Sequence, residues 1–266
     1  MTGTTGPSER FVPDLDLARR FIAAHPPPGE LLLCALTGSH IYGFSSPDSD
    51  LDLKGIHRVP TRGLLGFGKP KETHDRLKVF DGVECDLTTH EIQKAFGLLL
   101  AGNGNMLERF ESPVQLYETE AAAALRALSL GARSTRYVRH YSGFFRGMCR
   151  EHDRGESRKA KTLLYAYRVA LTGVHLLLTG ELCCDVRQLG PAHGFDEVME
   201  LVDYKAEHHE KAAVPDDMDR RHRANWPRLD ALLADARTRS PLPAEPQNVA
   251  DCEAWLIEQR LADLAG

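Results

Sequence analysis

Asp50 and Asp52 stand two residues apart in Ser49-Asp50-Leu51-Asp52-Leu53, shortly after the small-residue turn Thr37-Gly38-Ser39. On a strand, residues i and i+2 share a face with Cα atoms roughly 6.6 Å apart, so both carboxylates can bind one divalent cation. Leu51 and Leu53 then face a core, which places the acids on a real element; a bare Asp-x-Asp is otherwise as consistent with a solvated edge or turn. A Gly-Ser bend upstream can present backbone N–H groups and a hydroxyl to phosphate. Nucleotidyl or phosphoryl transfer needs its charged oxygens neutralised and its attacking and leaving atoms held in line, which two metals about 3.5–4 Å apart achieve. Such a pair takes about three carboxylates. Asp86 supplies the third if its strand lies beside the first. Asp50 and Asp52 would then bind the metal carrying the triphosphate, and Asp86 would help hold the one that activates the acceptor hydroxyl.

The positioning elements can be read from period and punctuation. Asp14 caps a helix over Leu15 to Ala24 that ends at Pro26-Pro27-Pro28-Gly29. Leu31 to Leu36 is a continuous apolar run and reads as a strand buried on both faces. A second strand is expected over Leu51 to His57, and a hairpin from Lys78 through Asp81-Gly82 into a strand over Val83 to Thr88. On the last, Glu84, Asp86 and Thr88 share one face. Helical period follows over Glu91 to Ala101 and Met106 to Phe110, then over Glu118–Leu130, Tyr137–Asp153, Ser157–Thr179, Phe195–Ala212 and Asp216–Ala236. A Pro-rich linker precedes a terminal helix over Val249 to Leu264, with Trp255, Leu256 and Leu261 as anchors. Gly63 to Lys69 has the spacing of a phosphate-binding loop, but Pro70 replaces the required hydroxyl residue and no buried strand precedes it.

The 266 residues, 42% hydrophobic and 27% charged, describe a globular chain. A net charge of −5 excludes a basic coat, so nucleic-acid contact needs a local patch. The start, MTGTTGPSERFVPD, lacks a signal peptide's basic and apolar regions, and no window approaches a membrane span, which points to a cytoplasmic protein without a membrane partner. Six cysteines without C-x-x-C spacing suit reduced, inert thiols. No histidine spacing matches a zinc site, and no Gly-x-Ser-x-Gly elbow is present.

Gly38-Ser39, Tyr42-Gly43, Pro47-Asp48-Ser49-Asp50-Leu51-Asp52-Leu53 and Glu84-Cys85-Asp86-Leu87 together resemble the nucleotidyltransferases of the DNA polymerase beta superfamily. The likeness is greater to a bacterial subgroup assigned to RNA repair. Gly102-Asn103-Gly104-Asn105-Met106-Leu107-Glu108 and the spacing of Lys161 and Arg168 match that subgroup's pattern. The resemblance runs from about Leu31 to Gly180. It implies that Gly38 and Ser39 contact the triphosphate and that Asp50, Asp52 and Asp86 bind metal. His40 departs from an Arg common in the subgroup, and Gly104 from an Asn-Pro-Asn turn.

Arg133 to Arg168 concentrates positive charge. Arg136, Arg139, Arg146 and Arg150 lie near one side of a helix, with Tyr137, Tyr141, Phe144 and Phe145 interleaved. That face suits an RNA backbone and stacked bases, or a solvated arginine face over an aromatic core. Lys161, Tyr165 and Arg168 share a helical face. The two cations are expected at the triphosphate, and Tyr165 either at the base or in the core.

The expected fold is α+β: a polymerase-beta-like nucleotidyltransferase mixed sheet with flanking helices, followed by a C-terminal helical domain. Residues 1–115 form the nucleotidyltransferase domain, 116–240 the helical domain, and 241–266 a linker and terminal helix. The expected activity uses Mg2+ or Mn2+ and moves an NMP from an NTP to a hydroxyl, with an RNA end as acceptor. The rivals are transfer to a small molecule or protein, a catalytically silent nucleotide or RNA sensor, and a scaffold whose basic face binds an acidic protein. The pattern specifies neither base preference nor oligomeric state.

Overall fold

A computed structural model describes residues 11–155, 158–208 and 213–265. In chain order its helices are α1 (Leu15–Ala24), α2 (Ser39–Tyr42), α3 (Arg62–Leu65), α4 (Ile92–Leu100), α5 (Gly104–Glu111), α6 (Ala121–Gly131), α7 (Tyr137–Arg154), α8 (Ala160–Thr179), α9 (Val186–Ala192), α10 (Val198–Glu207), α11 (Asp216–Arg223), α12 (Trp226–Arg239) and α13 (Val249–Ala265). Its strands are β1 (Glu30–Thr37), β2 (Leu51–Arg58), β3 (Thr73–Phe80), β4 (Val83–Glu91) and β5 (Gln115–Glu118). The described chain divides into two compact units. One comprises Asp14–Gly38, Asp50–His140 and the segment from Ser240; the other comprises Ser39–Ser49 and Tyr141–Arg239.

The first unit is built on a mixed sheet of order β3-β4-β2-β1-β5. β2 runs parallel to β4, and the remaining pairs are antiparallel. Alternation sets its two faces. Cys34, Leu36, Leu51, Leu53, Cys85, Leu87 and Leu116 form one core with Leu17, Ala18, Phe21 and Ile22 of α1. Asp14 starts that helix by accepting the Leu17 N–H at 2.8 Å. Each buried leucine contributes about 1.5–3 kcal/mol, so a one-residue slip of β2, which would expose Leu51 and Leu53 and bury Asp52, is strongly opposed. The acids therefore stay on the opposite face.

Helices α4 and α5 pack against β1 and β2. Gly102 ends α4 at φ 82°, and Asn103 caps α5 by accepting the Met106 N–H at 3.1 Å. Arg109 of α5 is buried and donates to the carbonyls of Gly55 and Thr88 at 3.3 and 3.0 Å. Burial pushes its guanidinium down to about 10. The terminal helix α13 belongs to this unit. Trp255 meets Phe96 edge-on at 5.7 Å, and Arg260 pairs with buried Glu91.

The second unit is helical, with α9, α10 and α12 packed around α8. The composition of α8 would allow a membrane span, contrary to the expectation that no window comes near one, yet 72% of that window is buried. An apolar helix surrounded by others is the central helix of a bundle.

Several boundaries differ from those the sequence suggests. β3 begins at Thr73, β4 extends to Glu91, and β5 was not anticipated because Ser112-Pro113 masks a four-residue edge strand. α9 is also additional. The expected helix over Asp216–Ala236 is two, since Ala224 and Asn225 break it and Pro227 near the start of α12 favours a new first turn. Leu261, expected as an anchor, is 61% exposed, and Cys252 is the buried residue of α13. The starts and ends suggested at Ser157 and Ala212 lie outside the described residues.

Candidate active site

The parallel pairing of β2 and β4 puts Asp52 directly opposite Asp86. Their side chains are 23% and 37% exposed, on the face away from the α1 core. Asp50 immediately precedes β2. Carboxylates on neighbouring strands, about 4.8 Å apart along the ladder, repel by roughly 3–4 kcal/mol at an effective dielectric near 20. Lys54, two residues beyond Asp52, answers that repulsion. Its Nζ donates to Asp86 Oδ2 at 2.7 Å and lies 3.9 Å from Asp52 Oδ1. The i, i+2 spacing of Asp52 and Lys54 is the signal in the sequence that points to this residue.

Gly38 closes the other side of Asp52. Its φ is +71°, and a Cβ there would stand 1.9 Å from Asp52 Oδ2. Thr37 is opposite Asp52 in the β1–β2 ladder and its hydroxyl donates to the Asp52 carbonyl at 3.3 Å. The glycine is thus required by the close approach of its backbone to the carboxylate.

The chain passes to the helical unit after Gly38, and Ser39 belongs to that unit. Ser39 Oγ is buried without a hydrogen-bond partner. Tyr42 and Gly43 have structural duties in that unit. The Arg168 guanidinium lies 3.8 Å from the Tyr42 ring centroid. Gly43, at φ +85°, makes room for Asp185, whose Oδ1 would be 1.9 Å from a Cβ. Asp185 in turn caps α9 and is bonded to Arg187. The loop that follows is pinned by Ser46 and Ser49, whose hydroxyl oxygens are 3.1 Å apart, and by buried Lys205, which donates to Ser46 Oγ at 2.7 Å. The tail beyond Leu182, which carried no recognised motif, therefore holds the motif loop.

Arg168, expected at the triphosphate, is 1% exposed and packed against aromatic rings. Its long stem is surrounded because α8 is central. Lys161 and Tyr165 are half-buried, and Tyr165 meets Tyr42 and Phe44 edge-on. On α7, Tyr137, Tyr141 and Phe145 are core residues, so the arginine face overlies an aromatic core rather than a row of stacking rings. Arg136 pairs with Glu245, and Arg146 makes a two-pronged contact with Asp230. Arg139 and Arg150 are exposed, and no ion pair among the described residues involves them.

A hard divalent cation suits this donor set chemically. Asp52 and Asp86 converge on one cationic group, Lys54 Nζ, and oxygen ligands of this kind favour Mg2+ or Mn2+. Among the described residues no three His, Cys, Asp or Glu side chains are gathered into a group that could hold a metal ion. All six cysteines are free, and burial raises the Cys34 thiol to about 12, in keeping with inert thiols. The glycine-rich segment after α3 is open surface, with nothing near Gly66 or Gly68, and forms no phosphate cradle.

Residues 14–258 match the family described as RlaP, RNA repair pathway DNA polymerase beta family. The chain belongs to that family. The match reaches well past Gly180, where the recognisable motifs end, and includes the segment carrying Asp185 and Lys205. This RNA repair pathway polymerase beta family member is a nucleotidyltransferase with a nucleotide substrate, and nucleotidyltransferases of its fold use a divalent metal and an NTP. It is also 25% identical over 233 residues to an uncharacterized protein of Methanocaldococcus jannaschii, MJ0002, covering 86% of this chain and 94% of that one. A nucleotidyltransferase-like protein from Exiguobacterium sibiricum aligns over 83% of this chain and 74% of its own, at 14% identity and a TM-score of 0.34.

Proposed function

We propose that this family member is a Mg2+- or Mn2+-dependent enzyme that transfers NMP from an NTP to a hydroxyl at an RNA end. The acceptor oxygen forms a bond to the α-phosphorus, the bond from that phosphorus to the α–β bridging oxygen breaks, pyrophosphate leaves, and the hydroxyl proton passes to solvent. Asp50, Asp52 and Asp86 are the metal ligands in this reading. The bound metal supplies charge neutralisation and a lower pKa for the acceptor hydroxyl. Gly38 shapes the approach to Asp52, and Ser39, Lys161, Tyr165 and Arg168 are assigned to the nucleotide, with Arg168 acting from its buried position beside Tyr42. We assign it to the cytoplasm, with nucleotidyl transfer carried by residues 1–115, a helical part over 116–240, and a linker and terminal helix over 241–266.

The single observation that carries the reading is the register of Asp52 against Asp86 on parallel strands, with one cation between them. A silent nucleotide sensor has no use for such a repulsive pair. The test is incubation with labelled NTPs, Mg2+ and total RNA, comparing the natural chain with one carrying Asp50→Ala and Asp52→Ala. Label should pass to RNA only with the natural chain. Equal labelling by both proteins rejects the enzyme reading, and label on small molecules or protein alone rejects the RNA acceptor.

A further inference from the structure

The carboxylates assigned to metal already hold a positive group of the chain's own. Lys54 Nζ donates to Asp86 Oδ2 at 2.7 Å and lies 3.9 Å from Asp52 Oδ1, while its side chain is only 18% exposed. Two neutral acceptors lie just beyond, the Asp86 carbonyl at 3.4 Å and Thr88 Oγ1 at 3.5 Å. We propose that Lys54 is a tethered competitor for the divalent cation: its ammonium offsets part of the charge of Asp52 and Asp86 until the cation arrives, then yields Asp86 and withdraws toward Thr88. The inference rests on Asp52 and Asp86 being the metal ligands.

The chemistry requires the exchange. Mg2+ binds carboxylate oxygens at 2.0–2.1 Å in a strict octahedron, and an ammonium hydrogen-bonded to the same oxygen both occupies a lone pair and repels the incoming charge. Lysine suits a displaceable counter-ion, being a point charge on a four-carbon stem with three rotatable donors. Thr88 and the Asp86 carbonyl provide a second station on the same face, so the displaced ammonium need not lose all its partners. With Lys54 in place the repulsion between the acids is partly offset, and the strands hold their register without metal. The cost is weaker metal affinity.

The test is Mn2+ binding to the full chain without nucleotide, read from the electron paramagnetic resonance signal of free Mn2+. Lys54→Met should bind Mn2+ about tenfold or more tightly than the natural protein, because a unit charge a few Å from the cation has been removed. Lys54→Arg, which keeps the charge, should stay near the natural affinity. In thermal melts Lys54→Met should start lower without metal and gain more from Mn2+. Unchanged or weaker binding by Lys54→Met overturns the inference. Asp86→Asn separates the two layers: if it binds Mn2+ as the natural chain does, or if no form binds, the assignment of the metal ligands fails. If Asp86→Asn loses binding while Lys54→Met matches the natural chain, only the role of Lys54 fails.

Discussion

Gly38 and Asp52 form the tightest steric couple in the sheet unit, since a methyl group on the glycine would coincide with a carboxylate oxygen. Gly38→Ala should lower stability by about 1–3 kcal/mol through its positive φ and displaced neighbour, and should abolish nucleotidyl transfer. Adding Asp52→Ala should recover most of the stability and none of the activity. Thermal melts beside a labelled-NTP assay measure both, and full activity in Gly38→Ala would show that the close approach is dispensable. Much of this was visible in the residues: the Gly-Ser turn, the Asp-x-Asp period and the third acid were all found by spacing. Arg109, Asp185 and Lys205 were not. Each acts by reaching a partner remote in sequence, as Arg109 does with the Gly55 and Thr88 carbonyls, and single-chain spacing holds no record of such partners.

At the scale of elements, β2 and β4 are joined beneath the surface by His57, fully buried, whose Nδ1 lies 2.8 Å from Thr89 Oγ1. Burial, with His74 adding repulsion, lowers the His57 pKa from 6.5 to about 4. Between those values the unfolded chain binds the extra proton and the fold does not, so stability is full above pH 6.5 and falls as the pH drops toward 4. The loss attributable to His57 is about 3 kcal/mol. Denaturation at a series of pH values should show His57→Phe with a shallower slope in that window, whatever its starting stability. The junction of β4 with α4 gives a second case. Glu91 caps α4 through the Gln93 N–H at 2.8 Å and also meets Arg260 of α13. Arg260→Ala leaves that carboxylate buried and alone and should cost about 3–5 kcal/mol, whereas Arg260→Ala with Glu91→Gln should cost less. Equal losses would mean that the pair is not coupled. The elements themselves were mostly legible, because apolar runs and 3.6-residue period mark β1, β2, α1 and α8 directly. β5 and the split between α11 and α12 were hidden, since a short edge strand and a two-residue break leave no periodic trace.

For the whole molecule, the net charge of −5 makes RNA affinity depend on a few local cations, and of the four arginines singled out all are exposed but Arg136 and Arg146 are in ion pairs, which leaves Arg139 and Arg150 as the two with none among the described residues. RNA binding should weaken steeply with salt. Arg139→Ala with Arg150→Ala should flatten the slope of log affinity against log salt by about 1.4 for a single strand. Unaltered slope in filter binding would remove these two residues from the RNA surface. Chain order within the helical unit carries its own implication. The loop from Ser39 to Ser49 is held by Asp185 and Lys205, which a ribosome making about 5–20 residues per second adds roughly 7–30 s later. A nascent polypeptide therefore presents the whole acidic sheet well before its glycine-serine loop has a seat, so enzymatic competence should switch on late in translation, and chains released early should be inert.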